Sequence, residues 1–179
     1  AGAFDEQALL RLAAMRGQAM TATSGERGVM ASLACDFDTA AAILGQVKGY
    51  AVAANINSPQ QLVISGELAA VEQAVALAQA KGIDARMLKV SNAFHSKFVA
   101  KAAEHLRSAA PVPDLLGKPC MKLYSGIGGM EMKEGLQLRH HFAQQIISQV
   151  DFISVVHAMA SDCDLLLEVG PARVLSGLT

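Results

Sequence analysis

The stretch YAVAANINSPQQLVIS, residues 50–65, carries the strongest β-hairpin signal in the chain. Residues 50–56 and 60–65 are two β-rich runs, and the Asn57-Ser58-Pro59 segment between them is a turn signal. Two such runs joined by a short turn are typical of neighbouring antiparallel strands. The stretch therefore places two strands at the centre of a predicted sheet.

The segments before and after this hairpin each add one strand and one helix. They are, in chain order, strand 28–34 (GVMASLA), helix 38–47, helix 67–81 and strand 84–90 (DARMLKV). Asp38 is predicted to cap the first of these helices, and Gly82 to end the second. The resulting order, β-α-β-β-α-β, is that of the ferredoxin-like, or split βαβ, unit.

The flanking sequence predicts an α/β arrangement around this unit. Before it, apolar residues recur at helical spacing over residues 5–20. After it, the pattern predicts helix 97–109, strand 121–125, helices 135–147 and 151–160, and strand 164–169 (DLLLEV). The last strand is nearly all apolar, as a strand buried on both faces is. We therefore expect residues 28–90 to form a small subdomain inserted into part of a larger core, formed by residues 1–27 and 91–179.

Composition and charge exclude several classes of function. The 179 residues are 52% hydrophobic and 17% charged, which predicts a folded chain of one domain or two small lobes. The formal net charge is −1 without a run of Lys or Arg, so neither nucleic acid nor an anionic membrane is an expected partner. Cys35, Cys120 and Cys163 form no CxxC pair, which indicates a cytoplasmic protein without a disulfide framework.

His95 is the first candidate for chemistry. It follows the last predicted strand in KVSNAFHSKF, residues 89–98, close to the small polar Asn92 and beside Phe94, whose ring could wall a pocket. A neutral imidazole near pH 7 can take and return a proton, as acyl transfer through a Ser or Cys requires. On spacing alone, a helix-capping or ordinary surface histidine is the alternative.

Arg16 is the second candidate, because it lies on the apolar face of the first predicted helix. A guanidinium there either extends to solvent or binds an anion, and its planar fork suits a carboxylate. The adjacent His140 and His141 point in different directions from a helix, and no Asp or Glu completes a ligand set, so no metal site is predicted. No serine stands in a GxSxG elbow, so the sequence offers a base and an anion-binding residue without a nucleophile.

Six segments, in order, resemble the acyltransferase family of fatty acid and polyketide synthases, the malonyl-CoA:acyl-carrier-protein transacylases. The segments are AAMRGQAM (13–20), GERGVMASL (25–33), ANINSPQQLVISG (54–66), VSNAFHS (90–96), QQIISQVDF (144–152) and LLLEVGPARVLSGL (165–178). The resemblance covers essentially the whole chain. Two positions depart from the family pattern: Gln149 replaces a frequent proline, and Asn92 stands where another residue often precedes AFH.

The resemblance implies an α/β-hydrolase-like core with a ferredoxin-like insert. In the family, a serine in a GHSxG elbow takes a malonyl group from malonyl-CoA and passes it to the phosphopantetheine thiol of an acyl carrier protein, without a bound cofactor. His95 would be the general base and acid, positioned by Gln145, and Arg16 would pair with the malonyl carboxylate. Phe94, which matches the bulky residue associated with malonyl donors, and Asn92 would contact substrate.

The family serine precedes the arginine by more residues than stand before Arg16 here. We therefore expect a fragment that lacks the nucleophile and is inactive alone, from either a discrete transacylase or a multidomain synthase. The alternative is a non-catalytic ferredoxin-like binding or scaffold module. RNA binding is disfavoured by the near-neutral charge and by the lack of paired aromatics on the central strands.

Overall fold

The computed structural model describes residues 2–22, 28–170 and 172–179. The α-helices in this part of the chain are Glu6–Ala22 (α1), Phe37–Leu44 (α2), Leu68–Ala80 (α3), Ala100–Ala109 (α4), Leu138–Ile147 (α5) and Phe152–Ala160 (α6). The strands are Gly28–Leu33 (β1), Ala51–Ser58 (β2), Gln61–Glu67 (β3), Ala85–Met87 (β4) and Val150–Asp151 (β5). A 3-10 turn, Lys97–Val99, leads into α4. No helix in the described ranges is long and apolar enough to cross a membrane. The start of the GERGVMASL segment, residues 25–27, lies outside the described residues.

All five strands form one sheet, in the order β4-β1-β3-β2-β5. β1 is antiparallel to β3 and β4, and β2 is antiparallel to β3, whereas β5 joins β2 in parallel. From Gly28 to Met87 the elements follow the predicted order β-α-β-β-α-β. The fold is therefore α/β, and the sheet extends beyond this unit through the two residues of β5.

The helices α2 and α3 cover one face of the sheet. Their buried apolar residues pack against inward-facing residues of β1 and β3, among them Leu33 and Ile64, which are both fully buried. Successive residues of a strand point to opposite faces of the sheet. Met30 of β1 and Val63 of β3 therefore lie on the other face, where they pack against Phe94. That second face is the one that meets the predicted histidine motif.

A second core is formed by α1, α4 and α5, with Leu106 and Ile146 among its buried residues. Phe94 packs against this core as well as against the second face of the sheet. The motif that carries His95 therefore lies between the two cores.

The ends of two helices test the predicted caps. Asp36, not Asp38, caps α2, because its Oδ1 accepts a hydrogen bond of 2.7 Å from the backbone N–H of Thr39. The backbone of Asp36 is extended, as that of a capping residue is, whereas Asp38 is already the second residue of the helix. Gly82 does end α3: its φ is +77°, and its N–H donates to the Gln79 carbonyl in a Schellman-type turn.

Two predicted strands are wrong, and one predicted helix is too long at its start. Residues 164–169 form no strand, and the side chains of Leu165 and Leu167 are 83% and 82% exposed. An apolar run becomes a buried strand only when other strands pair with it, and none in the described ranges does. Residues 121–125 contribute a single bridge, from Tyr124 to Glu131. α5 starts at Leu138 because Gly135 adopts a φ of +85°, outside helical geometry.

Candidate active site

His95 is held by the backbone at the end of α5. Its N–H donates to the Ile146 carbonyl at 3.1 Å, and its ring Nδ1 lies 2.9 Å from the Ser148 carbonyl oxygen. A carbonyl oxygen only accepts hydrogen bonds, so Nδ1 must carry the proton. The other ring nitrogen, Nε2, is then unprotonated in the neutral imidazole and can act as a base.

The surroundings keep this imidazole neutral. Burial lowers the pKa of His95 below its usual 6.5, since the charged form loses solvation. The positive charge of Arg16 lowers this pKa further, while hydrogen bonding to the backbone of Ser148 and Gln145 raises it. The net shift is downward, which leaves His95 in its basic form near pH 7. Its backbone φ is +55°, a strained conformation for a residue other than glycine.

Arg16 lies on α1, close enough for its charge to act on His95. The side chain is half-buried, and burial lowers its pKa. Over the described ranges no carboxylate or hydrogen-bond acceptor contacts its guanidinium. Of the two possibilities left by the sequence, this geometry favours an arginine available for an external anion. A half-buried guanidinium without a partner gains from a carboxylate ligand.

The other predicted site residues lie around His95 with different surroundings. Asn92 is 3% exposed, and its Nδ2 donates a hydrogen bond of 2.7 Å to the Met20 carbonyl on α1. Its amide thus joins the motif to α1, whereas the substrate contact expected of it stays a prediction. Phe94 is half-buried between the two cores. Gln145 lies on α5 and acts on His95 through its backbone.

The carbonyls of Ile146 and Ser148 are the functional groups that sequence reasoning missed. Backbone groups have no side-chain signature, so no residue type marks them. Their one available signal is the helix end, because the last carbonyls of a helix have no intrahelical partner. α5 ends at Ile147, which frees these two carbonyls for His95.

The segment after His95 is attached to the end of the small sheet at which β2 begins and β3 ends. The backbone N–H of Lys97 donates to the Tyr50 hydroxyl at 3.1 Å, and the Lys97 ammonium lies 4.0 Å from the centre of the Tyr50 ring. The same ammonium is 3.6 Å from Glu67 Oε1. These contacts tie the motif to the small sheet, in addition to its hydrogen bonds with the end of α5.

The paired histidines line a cavity whose lining includes none of the predicted site residues. His141 is buried, and its Nε2 lies 3.2 Å from the hydroxyl of Ser125. Burial and the nearby His140 lower the pKa of His141. Both histidines line a cavity of about 450 Å³ that also reaches Ser148. Nowhere in the described part of the chain do three or more His, Cys, Asp or Glu residues converge as metal ligands.

Comparison with known proteins finds the same family that the six sequence segments resemble. The model of the acyl transferase domain family matches residues 1–175. A malonyl CoA-acyl carrier protein transacylase of Haemophilus influenzae is 33% identical over 186 residues, which cover 100% of this chain and 59% of that protein. A reducing polyketide synthase of Gibberella fujikuroi is 28% identical over 194 residues, or 98% of this chain and 8% of that protein.

Solved structures agree with these sequence matches. The malonyl-CoA:acyl carrier protein transacylase of Xanthomonas oryzae pv. oryzae superposes with a TM-score of 0.90 at 30% identity, over 99% of this chain and 58% of that one. The acyltransferase domain of an iterative polyketide synthase in enediyne biosynthesis gives 0.88 at 33% identity, over 99% and 46%. The chain thus spans less than two thirds of the length of each of these four proteins. A family model that matches nearly every residue confirms the resemblance seen in the sequence, and the chain belongs to the acyl transferase domain family.

Proposed function

We propose that this chain supplies the proton-transfer and carboxylate-binding half of a malonyl-CoA:acyl-carrier-protein transacylase site. The observation that carries the proposal is the pairing of His95 with Arg16. The imidazole is fixed in the tautomer that a base needs, and the guanidinium beside it has no partner among the described residues. A thioester with a free carboxylate at its far end suits both groups.

His95 would move one proton in each half of the reaction. Its Nε2 takes the hydroxyl proton of a serine as that oxygen bonds to the malonyl carbonyl carbon, and returns the proton to the sulfur of coenzyme A as the C–S bond breaks. In the second half, Nε2 takes the proton of the phosphopantetheine thiol as its sulfur bonds to the acyl carbon, and gives that proton to the serine oxygen as the ester C–O bond breaks. No GxSxG serine stands within the 179 residues, so the nucleophile comes from outside them and this segment is inactive alone.

Arg16 would select the acyl donor. A bidentate guanidinium–carboxylate pair holds the malonyl group by its free acid, which an acetyl group lacks. The Phe94 ring, half-buried beside His95, would leave little room for a branched donor. The partners are then malonyl-CoA and a phosphopantetheinylated acyl carrier protein, with no resident cofactor.

The fold assigned to this function has two parts. Residues 28–90 would be a ferredoxin-like insert, supported by the strand order β4-β1-β3-β2. Residues 1–27 and 91–179 would belong to an α/β-hydrolase-like core. The parent is either a discrete transacylase, like the Haemophilus influenzae relative, or a domain of a larger synthase, like the Gibberella fujikuroi relative.

The test is a comparison of ligands on the chain itself. Malonyl-CoA should shift the NMR signals of the Arg16 and His95 side chains, and acetyl-CoA should bind at least about tenfold more weakly, since it lacks the carboxylate. Arg16→Met should remove the preference for malonyl-CoA. Arg11→Met is the matched control, because Arg11 lies exposed on the same helix and its guanidinium donates a hydrogen bond to Gln7. Equal binding of the two thioesters would contradict the proposal, as would stable covalent labelling of the chain by malonyl-CoA.

A further inference from the structure

Gln149 joins the two cores through its side chain. Its amide Nε2 donates a hydrogen bond of 2.9 Å to the backbone carbonyl of Ala53 in β2, across 96 positions of sequence. The side chain is half-buried.

The acceptor of this hydrogen bond lies at a β-bulge. β2 and β3 pair Ala53 with Ile64 and then Asn55 with Val63, so Ala54 is the extra residue. A bulge interrupts the regular ladder of hydrogen bonds. The parallel pairing of β5 with β2 begins only beyond it, at Asn55. The Gln149 side chain therefore reaches β2 at Ala53, before the bulge, where β5 and β2 are not yet paired through their backbones.

The residue before Gln149 carries the carbonyl that binds the imidazole. The N–H of Ser148 donates to the Gln144 carbonyl at 2.8 Å, and the carbonyl of Ser148 accepts from His95 Nδ1 at 2.9 Å. That carbonyl belongs to the peptide plane between Ser148 and Gln149, and its direction turns with the plane. The end of α5 fixes one side of the plane, and the Gln149 side chain fixes the other.

We propose that Gln149 is a positioning residue for His95. By anchoring to Ala53, its side chain holds the Ser148 carbonyl at the imidazole and so keeps the proton of His95 on Nδ1. The importance of this for acyl transfer rests on the function proposed above, since only a base needs Nε2 free. The geometry itself, and the test below, do not depend on that function.

The test reads the tautomer of His95 by nitrogen NMR at pH 8, where the ring is neutral. The native chain should hold His95 with the proton on Nδ1. In Gln149→Met, which keeps the length of the side chain but has no donor, the fraction with the proton on Nε2 should rise at least about threefold. Gln61→Met is the matched control. Gln61 is the exposed first residue of β3 and lies away from His95, so this substitution should leave the tautomer unchanged.

An unchanged His95 tautomer in a folded Gln149→Met chain would overturn the proposal. If that variant fails to fold, the hydrogen bond from Gln149 to Ala53 can be tested in the native chain. The side-chain amide protons of Gln149 report whether one of them is hydrogen-bonded. A small temperature coefficient and slowed exchange for one of them supports the anchor, while solvent-like values for both refute it. Neither readout requires acyl transfer, so a chain that fails to select malonyl-CoA can still pass this test.

Discussion

Gly28 shows how closely the histidine motif packs on the sheet. A Cβ at this position would lie 2.4 Å from the Cβ of Ala93 and 3.0 Å from the ring of Phe98. Ala93 is fully buried two residues before His95, so it has no free space into which to move. The first strand of the sheet and the segment that carries His95 therefore meet at a glycine, because a side chain there would separate them.

We expect Gly28→Ala to lower the free energy of unfolding by about 1–3 kcal/mol, the usual result of overpacking a filled core. Urea denaturation measures this change. The matched variant is Gly17→Ala on α1, where nothing lies within 4 Å of the added methyl group. That substitution should stabilise the chain by about 0.5–1 kcal/mol, since alanine favours a helix over glycine. Equal effects of the two substitutions would show that the contact with Ala93 is not tight.

Ser65 and Ser125 are both buried serines, and they differ in hydrogen bonding. The hydroxyl of Ser65, in β3, has no hydrogen-bond partner in the described structure, while that of Ser125 accepts from the N–H of Ile127 and contacts His141. Ser125→Ala should lower the free energy of unfolding by about 1–3 kcal/mol, because it leaves buried groups unpaired. Ser65→Ala should leave it unchanged or raise it by up to about 1 kcal/mol. Thermal or urea unfolding of both variants checks the contrast, which a loss at Ser65 would contradict.

At the scale of elements, the sequence pattern predicts those helices, strands and turns that depend only on residues close together in the chain. The hairpin, the helices around it and Gly82 as a helix end follow from residues within one element, and the structure confirms them. β5 has two residues, too few for any periodicity, and exists because β2 offers it an edge. Conversely, residues 164–169 have the composition of a strand but no pairing partner in the described ranges. Pairing between distant segments is the information that a single sequence lacks.

The cap of α2 provides a test at this scale, since the sequence and the structure name different aspartates. Asp36→Ala should lower the melting temperature by a few degrees, whereas Asp38→Ala should leave it nearly unchanged. The hydrogen bond from Thr39 lowers the pKa of Asp36 below its usual 3.8. The carboxylate therefore contributes stability above that pH, and this contribution is lost as the pH falls through the pKa of the folded state. Melting curves at pH 7 and pH 3 should show the difference between Asp36→Ala and the native chain shrinking in acid. A larger decrease in melting temperature for Asp38→Ala than for Asp36→Ala would instead support Asp38 as the cap.

At the scale of the whole molecule, the candidate site lies where the two cores meet. The motifs predict His95, Arg16 and Gln145 as site residues, and the structure brings the first two within electrostatic reach. Their supports could not be predicted, since they are the carbonyls of Ile146 and Ser148 at a helix end. Such contacts depend on the tertiary arrangement of segments far apart in sequence.

The coupling between Arg16 and His95 tests this arrangement directly. Burial and the charge of Arg16 hold the pKa of His95 below 6.5, so His95 contributes stability above that pH and loses it as the pH falls through its folded pKa. Arg16→Met removes the positive charge and should raise the pKa of His95 toward its usual value. An NMR titration of the His95 ring measures the shift, with Arg11→Met, exposed on the same helix, as the control that should not move it. An unchanged pKa in Arg16→Met would mean that the guanidinium and the imidazole do not share a site. The proposed function requires Arg16 to bind the carboxylate and His95 to move the proton of the same thioester. An unchanged pKa would therefore remove the basis for that function.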